Sequence, residues 1–319
     1  MYCSIASHVC DQLLQAGYQV RGTVRSEEKA KWLYELFDSK YGKGKFTAVT
    51  VPDMVADGAF DEAVKGVSGI CHVASVLTFS KKVEEVIPPT VKGTLNILTA
   101  ATLEPKIKSF VYTSSSTAAL TPVLDKKIVV TKETWNAAVV EETDKNAEAD
   151  PFIVYSASKT LAEQAVWKAV KETNPPFQVA AVLPNANYGK ILQPGGEMSS
   201  STGSWPVMLF NGDKTPLNFP PQWFVDVADN ARIHVAALID PSCNGQRIFA
   251  FAQTFNWSEV LDGLRKGYPN KHFIDGIEGE GHDLSEMPNS DAEELLRKHF
   301  GKGWTTLDES LKENTATLA

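Results

Sequence analysis

Short apolar runs and helix-like stretches take strict turns over residues 1–185, and few folds accommodate that order. YQVRGTV (18–24) reads as a strand and EEKAKWLYELF (27–37) as a helix. FTAVTV (46–51) is the next strand, with a helix over 60–64. ICHVA (70–74) reads as a short buried strand and 91–102 as a helix. FVYT (110–113) and VAAVL (179–183) continue the pattern on either side of a helix running from Tyr155 to Glu172. Strand and helix in alternation imply parallel strands joined by right-handed crossovers, hence an α/β doubly wound parallel sheet. A sheet of that kind takes its ligands outside the carboxyl ends of its strands.

After Pro184 the alternation weakens. Residues 193–222 are rich in Gly, Pro, Ser and Asn, and helices near 226–239 and 258–266 flank a strand at 247–251. The expected division is a nucleotide-binding domain over 1–185 and a smaller, mainly substrate-binding lobe over 186–319, some of whose strands and helices return to the main sheet. The tail from Glu309 is expected to fray. With 319 residues, 43% of them hydrophobic, the chain can bury a large core. A net charge of -8 argues against broad binding to nucleic acid or an anionic membrane. No apolar run approaches the ~18 residues of a membrane span, and the start does not read as a signal peptide. Cys3, Cys10, Cys71 and Cys243 are scattered without metal-like spacing. They read as thiols of a cytoplasmic protein. Neither motif nor composition fixes an oligomeric state.

The strongest chemical signal is YSASKTLAEQAVWK, 155–168. On a helix, Tyr155 and Lys159 stand one turn apart on a shared face. A phenol with a pKa near ~10 is a poor acid or base at neutral pH, and a nearby ammonium favours its phenolate. That is the tuning a proton-transfer group needs. Spacing alone does not decide: Tyr41 also has a lysine four residues on, Lys45, in a Gly/Lys-rich stretch that reads as a solvated loop. Context decides. The strand 110–113 runs directly into Ser114, Ser115 and Ser116, and in this topology a hydroxyl there lies beside the Tyr155 helix. A serine cluster after a strand is otherwise a turn or a cap.

From Ile5 to at least Phe255 the motifs IASHV, RGTVRS, VPD, HVAS, VKGTLNIL, FVYTSSS, YSASKTLAEQA and GQRIFA occur in order. In this the chain resembles the extended short-chain dehydrogenases, and within them the dihydroflavonol-reductase-like carbonyl reductases of fungi, yeasts and plants. The resemblance implies a Rossmann-type sheet and reduction of a small-molecule ketone or aldehyde with NADPH, in secondary metabolism for a fungal member. It assigns Ser115, Tyr155 and Lys159 as the catalytic set. Tyr155 would protonate the carbonyl oxygen, Lys159 lower its pKa and bond the nicotinamide ribose, and Ser115 hold the oxygen.

For the cofactor, Arg25 at the end of a strand and Lys29 just beyond suit a 2′-phosphate, where an acid would favour NAD. Both also read as surface charges near a helix start. Asp53 resembles the adenine-side acid and is otherwise a helix cap. Ala74 and Ser75 would pass the adenosine ribose and the pyrophosphate. Asn96 resembles a helix asparagine of the group or is a packing amide. Pro184 matches the proline whose neighbours contact nicotinamide, and is otherwise a strand terminator. The departure is at the front, where the family has a strand and a GxxGxxA/G turn before an IASHV-like helix. Here only MYCS precedes Ile5, and Cys3 falls where a loop glycine belongs. Those glycines let backbone N–H groups reach the pyrophosphate. The sheet is therefore expected to lack its first, central strand, through an alternative start or as a damaged relative.

Two other readings compete. Sugar epimerases and dehydratases share the Ser/Tyr/Lys set, but the dehydratases carry an Asp–Glu pair after the strand serine, where Thr117, Ala118 and Ala119 stand here. A non-catalytic scaffold that has lost its dinucleotide loop is the other. Phe79, Trp205, Trp223, Phe224 and the stretch 123–150 are candidates for an apolar pocket wall or for core.

Overall fold

The computed structural model describes residues 4–193 and 202–318. Helix α1 (Ser4–Gln15) leads into strand β1 (Val20–Val24), a 3-10 turn (Glu27–Ala30), α2 (Lys31–Tyr41), β2 (Phe46–Thr50), α3 (Asp61–Val64) and β3 (Gly69–His72). Then come α4 (Val83–Leu103), β4 (Ser109–Thr113), a 3-10 turn (Ser116–Ala118), α5 (Ala137–Lys145), α6 (Pro151–Thr173) and β5 (Gln178–Pro184). The remainder is β6 (Ala186–Tyr188), α7 (Trp205–Phe210), β7 (Gln222–Asp226), α8 (Val227–Ile239), β8 (Arg247–Ala250), β9 (Gln253–Phe255), α9 (Trp257–Gly267), α10 (Ser290–Phe300) and α11 (Leu307–Thr315).

The main sheet has the order β3-β4-β5-β8, all parallel, with Val111 opposite Ala180 and Val182 opposite Ile248. Successive side chains on a strand point to opposite faces, and here both faces are buried. Phe110, Tyr112, Val179, Ala181, Leu183 and Phe249 face α3, α4 and α6. Val111, Ala180, Val182 and Ile248 face α8 and α10. Helices on both sides explain why these strands read as continuous apolar runs rather than as alternating ones. Strands β1 and β2 form a separate parallel pair. Among the described residues β1 pairs only with β2, and β3 only with β4. The position read for Cys3 lies outside the described residues; Ser4 opens α1, which packs against α8.

The third sheet, β6-β7-β9, is mixed and belongs to the C-terminal part. Its core is Tyr188, Phe224 and Phe255 against α7, α9 and α11. The tail does not fray. Thr306 and Glu309 cap α11 reciprocally, and Leu307 and Leu311 are buried. The Asn314 amide donates to the carbonyls of Gly189 (2.7 Å) and Gly203 (3.0 Å). Two buried leucines contribute roughly 1.5–3 kcal/mol each, and a polar-looking tail hides them because only one face of its helix is apolar. Three further elements exceed the sequence reading: α4 starts at Val83 rather than 91, α5 forms within 123–150, and Tyr41 ends α2 instead of sitting in a solvated loop. The Tyr41 hydroxyl donates to Asp11 Oδ1 at 2.7 Å and ties α2 to α1.

Candidate active site

Helix α6 is built to hold a fixed rotation. Asp150 caps it by accepting from the Phe152 N–H at 2.9 Å, Pro151 starts it with a preset φ, and Asn174 ends it in the left-handed region at φ 43°. Tyr155 and Lys159 therefore project from one side, one turn apart. Lys159 is only 3% exposed. Its ammonium donates to the Thr113 carbonyl at 2.8 Å and lies 4.9 Å from the centre of the Tyr112 ring. Burying an ammonium costs several kcal/mol unless such partners are supplied, so this lysine is held in place rather than tolerated. On β3, the His72 ring stacks on Tyr112 at 6.2 Å and 25°. Burial, with the Lys159 charge adding to it, lowers the His72 pKa to about 3, so the imidazole is neutral.

The turn after β4 carries Ser115, two residues beyond the carbonyl that anchors Lys159. Ser115 Oγ accepts from the Thr117 N–H (3.3 Å) and the Thr117 hydroxyl (3.0 Å). Both lone pairs are thereby engaged, and its own O–H is left as a donor. Thr113 is fixed from the other side of the sheet. The His234 Nδ1–H donates to the Asn230 carbonyl at 2.8 Å, so Nε2 accepts from the Thr113 hydroxyl at 2.7 Å. The Tyr155 ring lies 5.5 Å from Phe79, a residue at φ 48° and 44% exposed. A bulky side chain in the left-handed region is strained, and such strain collects at functional sites.

The other expected site residues follow the carboxyl ends of their strands. Arg25 is exposed directly after β1, and Lys29 lies half-buried in the 3-10 turn beyond it. Asp53 follows β2 and caps a turn, its Oδ1 accepting from Val55 N–H at 2.9 Å. Asn96 on α4 secures that turn by donating to the carbonyls of Met54 (2.9 Å) and Ala56 (3.0 Å). Ala74 and Ser75 follow β3, and Pro184 ends β5, buried. Ser75 Oγ is sealed from solvent with no hydrogen-bond partner. An orphaned buried hydroxyl calls for a polar ligand group, and with two cations beyond β1 the donor set fits a phosphorylated dinucleotide. The aromatic candidates divide. Phe79 is at the site, Trp223 bonds Ser285 Oγ at 3.0 Å and packs on Phe251, and Phe224 is fully buried core. Trp205 stacks on Phe219 and meets Trp257 edge to face in the lobe.

Comparison with known proteins identifies the family. The family model described as male sterility protein, an NAD-binding family, matches residues 55–191. Aldehyde reductase 2 of Sporidiobolus salmonicolor is 41% identical, over 97% of this chain and 91% of that protein. Ketoreductase adrE of Penicillium rubens is 41% identical, over 98% and 93%. The chain belongs to the extended short-chain dehydrogenase/reductase family. The crystal structure of Gre2 from Candida albicans in complex with NADPH superposes with a TM-score of 0.85 at 27% identity, covering 99% of this chain and 96% of that one.

Within this short-chain dehydrogenase/reductase site, sequence reasoning left several groups unassigned. The most connected are Glu163 and Arg247, a buried ion pair joined at 2.7 Å. Both stood inside quoted motifs, YSASKTLAEQA and GQRIFA. The available signal was that Glu163 repeats the four-residue spacing of Tyr155 and Lys159. His234, on α8 across the sheet, carried no signal, because only the fold brings it to Thr113.

Proposed function

We propose that the chain reduces a ketone or aldehyde to an alcohol with NADPH, and that Tyr155 is the proton donor. The observation carrying this reading is the buried Lys159, fixed on the Thr113 carbonyl one turn from Tyr155. Its charge favours the phenolate that Tyr155 becomes on giving up its proton. Ser115, with its oxygen already accepting from Thr117, donates its O–H to the substrate's carbonyl oxygen and aligns that oxygen for Tyr155. When bound, NADPH supplies the hydride. Arg25 and Lys29 hold the 2′-phosphate and Asp53 lies on the adenine side. Ala74 and Ser75 line the adenosine ribose and pyrophosphate, and Lys159 also bonds the nicotinamide ribose. Pro184 and its neighbours border the nicotinamide. Residues 1–185 serve the cofactor and 186–319 mainly the substrate, with β8, α8 and α10 completing the main sheet. No carboxylate follows Ser115 (Ser116, Thr117, Ala118 and Ala119 are next in line), which favours reduction over sugar dehydration.

No helix among the described residues is long and apolar enough to cross a membrane; a cytoplasmic location is part of the proposal. The test is NADPH consumption with a panel of aldehydes and ketones. General acid catalysis is worth roughly 100- to 10,000-fold, so Tyr155→Phe is expected to lower kcat at least about 100-fold without unfolding the protein. A folded Tyr155→Phe variant retaining more than about half of wild-type kcat would overturn the assignment.

A further inference from the structure

We propose that Glu163 and Arg247 form a charge-balanced clamp that positions the Ser114–Ser115 turn and the 131–136 segment around Tyr155 and Lys159; this rests on the reductase reading above. Glu163 stands one turn beyond Lys159 on the same side of α6 and is wholly buried. Its Oε2 accepts from the Ser114 hydroxyl at 2.6 Å and from Arg247 Nη2 at 3.2 Å. Its Oε1 accepts from Arg247 Nε at 2.7 Å and from the Trp167 indole at 3.1 Å. Arg247, on β8, directs Nη1 to the carbonyls of Lys132 (2.8 Å) and Thr134 (2.6 Å), and its guanidinium lies 3.9 Å from the centre of the Trp135 ring. One ion pair thus joins the catalytic helix, the serine turn, a sheet strand and the segment leading into α5.

A buried ion pair is a poor way to gain stability, because desolvation offsets the attraction. Its placement supplies a reason to keep it. Ser114 is the residue before Ser115, so the carboxylate anchors the turn that carries Ser115. The charged and titratable groups around Glu163 are Arg247 from β8, Tyr112 from β4, and Lys159 and Tyr155 from its own helix, with His72 of β3 behind Tyr112. Lys132 contributes its carbonyl, while its ammonium is engaged by Asp291 and Gln246. Arg247 is the cation bonded directly to the Glu163 carboxylate, so its removal is what leaves that charge without a contact partner.

The test uses the whole chain with NADPH, with benzaldehyde and methylglyoxal as probes, and reads the alkaline limb of the kcat–pH profile. Reduction needs protonated Tyr155. Glu163→Gln leaves an uncancelled guanidinium, which favours the phenolate and is expected to move the limb to lower pH by about half a unit or more. Arg247→Met leaves an uncancelled carboxylate, still bonded by Ser114 and Trp167, and is expected to move the limb the other way. The double variant Glu163→Leu/Arg247→Met should restore the limb while kcat stays low, since Ser114 has lost its acceptor. Unmoved limbs in folded, active single variants, or limbs that move in the same direction, would show a structural clamp only and overturn the proposal. If Glu163→Gln does not fold, Arg247→Lys against Arg247→Met decides, since both lose the fork to the 132 and 134 carbonyls and only the second loses the charge. Equal limbs in that pair overturn it. A wild-type chain without turnover, or an undiminished Tyr155→Phe, would instead bring down the reductase reading and this proposal with it.

Discussion

Asp226 ends β7 and caps α8, accepting from the Ala228 N–H at 2.8 Å, while its other oxygen accepts from the Ser310 hydroxyl of α11 at 2.7 Å. It is 2% exposed. Burial pushes its pKa up to about 6; the Ser310 and Ala228 bonds pull the other way, and Asp229 and Glu313 add to the rise. The folded state therefore holds this proton more tightly than an unfolded chain, whose aspartate titrates near ~3.9. The carboxyl costs nothing extra below about pH 4, stability falls as pH rises from there to about 6, and the loss is constant above. Two units correspond to a ceiling of about 3 kcal/mol. Asn caps helices as well as Asp does, and its amide can accept from the Ala228 N–H and donate to the Ser310 oxygen without a charge. Asp226→Asn is expected to raise stability by roughly 1–3 kcal/mol at pH 8 and by nothing at pH 4. Urea unfolding of both proteins at pH 4, 6 and 8 measures it. A variant that is less stable at pH 8, or whose gain is the same at all three pH values, would refute the reasoning.

Two expectations concern ligands. Arg25→Ala with Lys29→Ala should weaken NADPH at least about tenfold more than NADH, since charge-assisted bonds to one phosphate are lost; calorimetric titration with both cofactors checks it, and equal losses would make the two cations surface charges. Phe79→Gly should relieve the strain at φ 48° and hold or raise the melting temperature, glycine being free in that region, while KM for aromatic carbonyl substrates rises. A lower melting temperature with unchanged KM would mean that the ring is packing alone.

The order of the elements was legible because parallel strands covered on both faces write themselves as apolar runs, and Val111 or Ala181 could lie nowhere else. Tyr155 and Lys159 were legible because a helix turns a four-residue spacing into a shared face. Their neighbours were not, for two reasons. His234 and Arg247 reach the site from elements 121 and 88 residues beyond Thr113 and Lys159, as their separations from those positions along the chain show. And a polar segment such as 306–315 hides its packing, since Thr306, Ser310 and Asn314 are spent on a cap, the Asp226 carboxylate and two carbonyls, partners that exist only after folding. The front of the chain illustrates the converse. The motif match placed Ile5–Val9 on a helix, and α1 covers those residues, although their own composition would have left helix and strand open.

The four-residue ladder on α6 has an evolutionary corollary. Tyr155, Lys159 and Glu163 meet Phe79, the Thr113 carbonyl and Ser114 with Arg247, and Trp167 donates back to Glu163, so adding or deleting one residue anywhere between them would swing the later rungs by ~100°. A change of length between Tyr155 and Trp167 therefore breaks the arrangement. The segment 121–134 is tied instead to Arg247, Gln246 and residues 282–291, through the Lys132 and Thr134 carbonyls, the Lys132 ammonium, the Lys127–Glu286 pair and bridges at Leu124 and Val129, so a change of length ahead of residue 132 does not alter the phase of α6. Length can therefore vary there while the four residues of α6 stay in phase.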